Sequence, residues 1–273
     1  MSDPVEQFPS HLGFPPPLLG MRPQRLPVIW RGRDGFALNM PPGVQILPDN
    51  WYPRTPLLAE SINYQVAQGK GEMQRLGIPD SGAIAIYSME PDISGVALFA
   101  FDATGGEFWR NAYGSGMCEL RIEFFAEQGP DVEELSTDLP LARHMTENRM
   151  LVSHRTGKKA QTTFRRLETL GRFSRWEAIT SFYRMHQVLV HAQELGIPVL
   201  GDTVYGTSRP LYLSSLKRSY RPSKKKEEVP LYDGCPMHLR ALTIPLPEGG
   251  TTTIEAPLPN RYAVLLKRLQ DFG

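Results

Sequence analysis

The stretch at residues 182–206, FYRMHQVLVHAQELGIPVLGDTVYG, constrains the fold of this chain more than any other. Its spacing predicts a helix that opens at His186 and runs to Leu195, because the next residue, Gly196, readily takes the left-handed conformation that ends helices. A short apolar strand is expected over residues 198–200, and a Gly-Asp pair and a Tyr-Gly pair then form a turn. The stretch therefore predicts a compact helix–strand–turn unit that carries several polar side chains.

Elsewhere the chain is a series of short apolar segments joined by tight turns. Residues 28–39, 161–182 and 237–256 each predict a hairpin, since each holds two apolar runs around a glycine-containing turn. Residues 260–272 predict a closing helix. Strands dominate and most connections are hairpin-like, so we predict an α+β protein with a mixed, mainly antiparallel β-sheet core and flanking helices.

The charge of the chain is unevenly distributed. The formal net charge is only +1, yet residues 149–226 hold 16 of the 30 Lys and Arg residues and far fewer of the 29 acidic ones. A basic segment in a neutral protein is typical of a polyanion-binding surface, because Lys and Arg neutralise phosphates and release their counterions. The alternative is a solvated surface with ordinary ion pairs.

The cysteine content and the hydropathy pattern indicate the compartment. Only Cys118 and Cys235 occur, which is too few for a disulfide framework or a thiolate metal site. Neither a secretory signal nor a run of about 18 apolar residues is visible. We therefore predict a cytoplasmic protein.

Two segments depart from the pattern of a compact domain. Residues 1–27 contain seven prolines, which predicts an extended arm, and residues 28–273 form the domain proper. Within it, residues 207–232 predict an inserted loop in which basic residues alternate with tyrosines Tyr212, Tyr220 and Tyr232. This composition suits RNA, and the candidate RNA-binding residues are Lys217, Arg218, Arg221, Lys224, Lys225 and Lys226. The alternative is a solvated, disordered loop.

The 182–206 stretch resembles a motif of the RluA-type RNA pseudouridine synthases. The pattern of that family is roughly G-R-x-H-Q-I-R-V-H-L followed by G-H-P-I-x-G-D-x-x-Y-G. The matching residues are Arg184, His186, Gln187, Val190, His191, Gly196, Pro198, Gly201, Asp202, Tyr205 and Gly206. The resemblance extends over nearly the whole domain and implies the pseudouridine synthase catalytic-domain fold, an RNA partner (ribosomal or transfer RNA), and no metal or organic cofactor. We expect a monomer that does not bind membranes.

The reactive positions of the family are replaced in this chain. Glu90 lies where the resemblance places the catalytic aspartate, and Leu189 lies where it places the arginine that pairs with that aspartate. Ile122 aligns with the active-site tyrosine, and Tyr113 substitutes for it if the register differs. A carboxylate in a closed pocket needs a cation partner, or its pKa rises and it becomes neutral.

The retained polar residues have structural interpretations as well. Asp92 matches a second aspartate of the family, whose side chain is expected to hold a turn. Arg184, His186 and Gln187 are expected to order the pocket. His186 and His191 are five residues apart and do not share a helix face, so a zinc site is not predicted.

These replacements predict an RNA-binding member of the pseudouridine synthase family in which uridine isomerisation is lost or much reduced. One alternative is an active synthase in which Glu90 replaces the aspartate as the catalytic carboxylate. If catalysis has been lost, Glu90 is instead expected to be a surface or turn residue. A second alternative is a non-catalytic assembly protein that docks through the proline-rich arm. Salt-sensitive RNA binding separates the first two from the third, and pseudouridine formation separates the first from the second.

Overall fold

The fold is built on one large, mainly antiparallel sheet. A computed structural model describes residues 8–127, 129–207, 209–217, 219–220 and 227–273. The sheet has eleven strands, and nine of them follow the order β1-β2-β3-β5-β12-β6-β11-β10-β7. They are β1 (His11–Phe14), β2 (Gln24–Arg31), β3 (Gly35–Met40), β5 (Ile93–Ala100), β6 (Glu119–Glu127), β7 (Glu134–Thr137), β10 (Thr162–Leu170), β11 (Phe173–Thr180) and β12 (Met237–Pro245).

The remaining strands and the helices attach to this sheet. Strand β4 (Ile84–Ala85) pairs with β5, and β13 (Thr251–Glu255) pairs with β12. Strands β8 (Leu141–Arg143) and β9 (Met150–Val152) form a separate two-stranded sheet. The helices are α1 (Leu58–Ala67), α2 (Gly71–Leu76), α3 (Ala103–Gly114), α4 (Gln187–Glu194), α5 (Leu213–Leu216) and α6 (Asn260–Phe272).

The predicted fold class is confirmed, and so are the predicted hairpins. The β2–β3, β10–β11 and β12–β13 pairs are antiparallel and close at the expected turns. The central β5–β12 pair is parallel, and it joins segments more than 130 residues apart in the chain. This pair makes the sheet mixed, which a hairpin pattern cannot reveal.

Two cores lie on the two faces of the sheet, and strand β6 contributes to both. Ile122 and Phe124 belong to the larger core. Phe125 belongs to a smaller core that is covered by helix α6 through Tyr262 and Leu265. Alternate residues of β6 therefore point to opposite faces, as the two-residue period of a strand requires.

The prediction for residues 198–200 was wrong in detail. They form no strand, and only an isolated bridge joins Val199 to Ala126 of β6. The backbone N–H of Leu200 donates to the carbonyl of Phe125. The segment is thus attached to the sheet by two short contacts, and three residues were too few to extend the ladder.

The proline-rich arm is joined to the sheet rather than separate from it. Residues 11–14 and 24–27 are extended as predicted, but they lie in strands β1 and β2. Leu12 and Phe14 are fully buried in the larger core. Strand β2 crosses the boundary predicted at residue 27, because Leu12, Phe14 and Leu26 bury the arm in the larger core.

The basic insertion is anchored at both of its described ends. Leu211 accepts a hydrogen bond from the Leu231 backbone, and Ser214 donates one to Glu228. Tyr232 is buried in the smaller core, so it is not an exposed ring for stacking as we predicted; Tyr220 is exposed. Lys217 lies over the Phe272 ring, whereas the predicted RNA-binding residues Arg218, Arg221, Lys224, Lys225 and Lys226 lie outside the described residues.

The described part of the chain has neither a membrane-spanning helix nor a cluster of metal-ligating side chains. No helix there is both long and apolar enough to cross a lipid bilayer. No group of three or more His, Cys, Asp or Glu side chains there is arranged to hold a metal ion.

Candidate functional site

Glu90 lies in the turn between β4 and β5, and its side chain is completely buried. The Tyr183 hydroxyl donates a hydrogen bond to Oε1, and the backbone N–H of His186 donates one to Oε2 at 3.4 Å. Burial raises the pKa of Glu90 to about 7, and these hydrogen bonds oppose the rise only in part. The interpretation of Glu90 as a surface residue is therefore wrong, and its carboxyl group is partly protonated at neutral pH.

No cation compensates this carboxyl group within the described residues. None of the ion pairs among them involves Glu90. Leu189, at the position where the resemblance expects an arginine, is buried in the larger core on helix α4. The donors to Glu90 are neutral, and neutral donors stabilise an ionised carboxylate less than a cation does.

His186 occupies the left-handed region of backbone conformation just before helix α4. Its φ is 57°, the only positive value among the described non-glycine residues. Such a conformation is costly for a residue with a Cβ and persists only where the surroundings hold it. Here it directs the His186 N–H at Glu90 while the imidazole ring points into a cluster of aromatic side chains.

We call that cluster the aromatic cap; it comprises Trp51, Tyr52, His186 and Tyr205. The Tyr52 hydroxyl lies 2.5 Å from Nε2 of His186, and the Tyr205 hydroxyl lies 2.7 Å from Nδ1. The Trp51 ring lies 5.3 Å from the imidazole. Burial lowers the pKa of His186 to about 4, so the ring is neutral at pH 7 and bridges the two hydroxyls without carrying charge.

The Gly-Asp and Tyr-Gly pairs of the motif position one hydroxyl of the cap. Asp202 accepts hydrogen bonds from the backbone N–H groups of Val204 and Tyr205, at 2.8 and 3.0 Å. This side-chain turn places the Tyr205 hydroxyl against His186, where it also accepts the Met150 N–H at 2.7 Å. The motif residues therefore build the cap by local hydrogen bonds.

The other side of the cap is a loop between β3 and α1 that contacts the β8–β9 sheet. The Arg143 guanidinium lies 4.5 Å from the Trp51 ring and pairs with Asp49 at 2.6 Å. The Asn148 amide donates to the Trp51 carbonyl. The cap is thus held by residues from four separate segments of the chain.

Gln187 and Arg184 are placed by one another beside Glu90. Gln187 is fully buried; its Oε1 accepts the Arg184 N–H, and its amide nitrogen donates to Gln161, Thr162 and Thr180. Arg184 points away toward solvent, with Nε donating to the Lys159 carbonyl at 2.8 Å. Gln187 therefore orders the start of helix α4, and Arg184 lies at the edge of the site.

Asp92 and its neighbours hold the turn that carries Glu90. The Cys235 N–H is hydrogen-bonded to Asp92, although burial raises the pKa of this carboxyl overall. Ser94 donates to the Met237 carbonyl and is 2.9 Å from Nδ1 of His238. Gly95 has a φ of 114°, and a Cβ there would lie 2.2 Å from a Leu239 backbone oxygen. These residues lock β5 onto β12.

Ile122 and Tyr113 contribute differently to the region. Ile122 is fully buried in strand β6 and is part of the larger core, so it presents no surface to a substrate. The Tyr113 hydroxyl accepts the Tyr183 N–H at 3.1 Å, and its ring stacks on Tyr87 at 5.4 Å. Tyr113 is almost fully buried too, so it supports Tyr183 from behind.

Two cavities open against the segment at residues 182–185, which carries Tyr183, the hydroxyl donor to Glu90. Their volumes are about 310 and 530 Å³. Both are lined by Phe182 and Arg184, and Tyr183 lines the larger. Among the described residues, Glu90 lines neither cavity.

Sequence reasoning missed three residues that define this site, namely Trp51, Tyr52 and Tyr183. Tyr183 is 93 positions away from Glu90, and Tyr52 is 134 positions away from His186. The pair WY between two prolines was a visible signal, since large aromatic residues in a loop often serve a site.

Comparison with known proteins places the chain among RNA pseudouridine synthases, although no family model matches it. It is 25% identical over 260 residues to ribosomal large subunit pseudouridine synthase D of Haemophilus ducreyi, covering 91% of this chain and 72% of that protein. It is 23% identical over 270 residues to an uncharacterized RNA pseudouridine synthase of Chlorobaculum parvum, covering 95% and 80%.

Solved structures agree on the fold. The structure of human RNA pseudouridylate synthase domain containing 4 superimposes with a TM-score of 0.68 at 17% identity, covering 89% of this chain and 92% of that one. The fold, the relatives that match along most of the chain and the motif at residues 182–206 all point the same way. Over most of its length, the chain is therefore similar in sequence to RNA pseudouridine synthases, and it shares their fold.

Proposed function

We propose that this protein binds structured ribosomal or transfer RNA and that its uridine isomerisation is lost or much reduced. The family supports the RNA partner, since the named relatives are RNA pseudouridine synthases. The surplus of basic residues between positions 149 and 226 supports it independently. A cytoplasmic monomer is part of the proposal, and the two free, buried cysteines agree with a reducing compartment.

The sealed state of Glu90 carries the catalytic half of this proposal. The resemblance implies that the family has an ionised aspartate at this position. An arginine holds that aspartate, which acts on the ribose or the base. Glu90 is fully buried, has a pKa of about 7 and has neutral donors. A substrate cannot contact it while the aromatic cap and Tyr183 surround it.

Release of tritium from transcripts labelled at C5 of uridine tests the loss of isomerisation, because that hydrogen leaves when the new carbon–carbon bond forms. The purified full chain should release no more tritium from ribosomal and transfer RNA than Glu90→Ala does. Filter binding of the same transcripts at several salt concentrations should nevertheless show association that weakens with salt. Turnover that disappears in Glu90→Ala would overturn the catalytic half.

A working synthase that uses Glu90 is the second candidate. The retained carboxyl group favours it, because a pKa of about 7 leaves a substantial ionised fraction at neutral pH. This candidate requires the cap to open when RNA binds. Removing the two rings of the β3–α1 loop with Trp51→Ala and Tyr52→Ala should then raise turnover, and adding Glu90→Gln should abolish it.

A further inference from the structure

The two cavities against the segment at residues 182–185 share a wall made of Phe182 and Arg184. The smaller is also lined by Lys159 and Gln161, and the larger by Arg143 and Lys158. Both lie between the segment at residues 182–185 and the segment at residues 156–161. Because they share this wall, they form two neighbouring compartments.

Uncompensated positive charge surrounds these compartments. Arg143 is paired with Asp49, but Lys158, Lys159 and Arg184 take part in none of the ion pairs between described residues. Lys158 and Lys159 are exposed, and Arg184 is half-buried. Three unpaired cations around two concave spaces create a positive potential that attracts an anion of matching spacing.

The wall between the compartments presents a flat cationic surface. The Arg184 guanidinium lies 5.0 Å from the centre of the Phe182 ring, and its Nε is fixed by the Lys159 carbonyl at 2.8 Å. The Phe182 ring rests in turn on Tyr113, with ring centres 4.7 Å apart. A guanidinium held in this way has a defined plane, and RNA bases stack on such planes.

We propose that this pair of compartments binds single-stranded RNA, with a base against Arg184 and the flanking phosphates at Lys158 and Lys159. The inference rests on the proposed RNA-binding function and gives it a location. Among the described residues, neither Glu90 nor any residue of the aromatic cap lines these compartments. The nucleotide bound there therefore has no contact with the carboxyl group, which is consistent with binding that leads to no isomerisation.

Single-stranded RNA fits these features better than a simple anion. A free phosphate would use the lysines but would leave the flat guanidinium surface and the two concave spaces unfilled. A single strand supplies both parts, since its unstacked bases expose their faces and its phosphates recur at each nucleotide.

Binding of a fluorescein-labelled oligouridylate decamer to the full chain tests the site, with inorganic polyphosphate of similar charge as the second probe. Lys158→Gln with Lys159→Gln should weaken RNA binding roughly tenfold and reduce the slope of log affinity against log salt by about 1.4. The matched control is Lys70→Gln with Lys267→Gln, which removes two exposed charges on other elements and should change neither quantity.

Arg184→Lys separates the base from the phosphates. It keeps the charge but removes the planar surface, so RNA should bind several-fold more weakly with an unchanged salt slope, while polyphosphate binding should be unaffected. Thermal unfolding of each variant confirms that it is folded.

The possible failures are distinguishable. If the unaltered protein does not bind the RNA transcripts or the decamer, the proposed function falls and this site falls with it. If RNA binding is strong but neither the lysine pair nor Arg184→Lys changes it more than the control does, only this site is overturned. An equal effect of Arg184→Lys on RNA and on polyphosphate would show that the surface recognises charge and not a base.

Discussion

Glu90 and Glu123 are two buried glutamates of the same molecule, and they differ in whether a cation lies near the carboxyl group. Glu123 is on strand β6 with Oε1 3.9 Å from Nε of Arg240, whereas Glu90 has only neutral donors among the described residues. Burial raises the pKa of both carboxyl groups. At Glu123 the charges of Arg175 and Arg240 oppose that rise, and at Glu90 only hydrogen bonds do.

The difference follows from the elements that supply the partners. Arg240 is in a bulge of β12, where the register with β6 shifts between Leu239 and Ala241. A bulge adds a residue to one strand and redirects its side chain, so a cation from the neighbouring strand reaches Glu123. Glu90 is in a turn opposite helix α4, and the expected cation position there is Leu189. The sheet therefore retains an ionic pair on one face, while the candidate site on the other face lacks one.

Placing a cation at Leu189 is the largest perturbation of this contrast. Leu189→Arg should destabilise the fold by about 3 kcal/mol or more, since it buries a charge in a packed core. If the new guanidinium reaches Glu90, the cost should be about 1–3 kcal/mol smaller with Glu90 than in a Glu90→Gln background at pH 8. Urea unfolding of the four proteins of this cycle measures the coupling.

Val188→Arg is the control, because Val188 is a buried neighbour on the same helix. It should show no coupling to Glu90. Leu189→Arg also tests catalysis. Glu90→Asp alone should release no tritium, whereas Glu90→Asp with Leu189→Arg should release more tritium than the single variant. Ile122→Tyr is not expected to add to this, because Ile122 is in a filled core.

Replacing Glu90 by a residue that does not titrate has the next largest expected effect on stability. The folded pKa of about 7 lies above the ordinary 4.5, so the folded state keeps a proton that the unfolded chain releases. The stability that this proton contributes is complete below pH 4.5 and is lost as the pH rises to 7. Relative to the unaltered protein, Glu90→Gln should therefore gain about 3 kcal/mol between pH 4.5 and pH 8.

Thermal and urea unfolding at several pH values measure this gain. Glu248→Gln, at an exposed turn, is the control and should show no such trend. A difference between Glu90→Gln and the unaltered protein that is the same at both pH values would mean that folding does not shift the pKa of Glu90.

Removing Arg240, one of the two cations that lower the pKa of Glu123, should bring that site closer to the state of Glu90. Arg240→Met should cost about 1–2 kcal/mol at pH 7, less than for a fully buried pair because Arg240 is partly exposed. The cost should shrink at pH 4, where Glu123 becomes protonated. Arg121→Met removes an exposed pair with Glu119 and should cost less than about 0.5 kcal/mol in the same unfolding experiment.

Removing one neutral donor from Glu90 has the smallest expected effect. Tyr183→Phe should cost about 1 kcal/mol at pH 8 and should raise the pKa of Glu90 further, because the Tyr183 hydroxyl lowers it. Carbon-13 NMR of the labelled glutamate side chains follows the titration. Tyr64→Phe is the exposed control and should leave the titration midpoint of Glu90 unchanged. An unchanged midpoint in Tyr183→Phe as well would show that Tyr183 does not stabilise the charged form.

Local spacing alone was enough to predict much of the scaffold. The α+β class, the hairpin of β2 and β3, and the closing helix α6 follow from alternation, turn residues and capping signals between near neighbours in the chain. The motif at residues 182–206 likewise predicted the position of helix α4 within one residue at each end. These features depend on interactions that a few adjacent residues make among themselves.

The tertiary structure decided the state of the candidate site. Through its resemblance to the family, the sequence by itself predicted that Glu90 lies at the aspartate position and Leu189 at the arginine position. The environment of Glu90 depends on Tyr183, and the aromatic cap beside it depends on Tyr52 of the β3–α1 loop, and both tyrosines lie far from their partners in the chain. Only folding brings these rings around the carboxyl group, because burial and pKa depend on the whole surrounding shell and not on sequence neighbours.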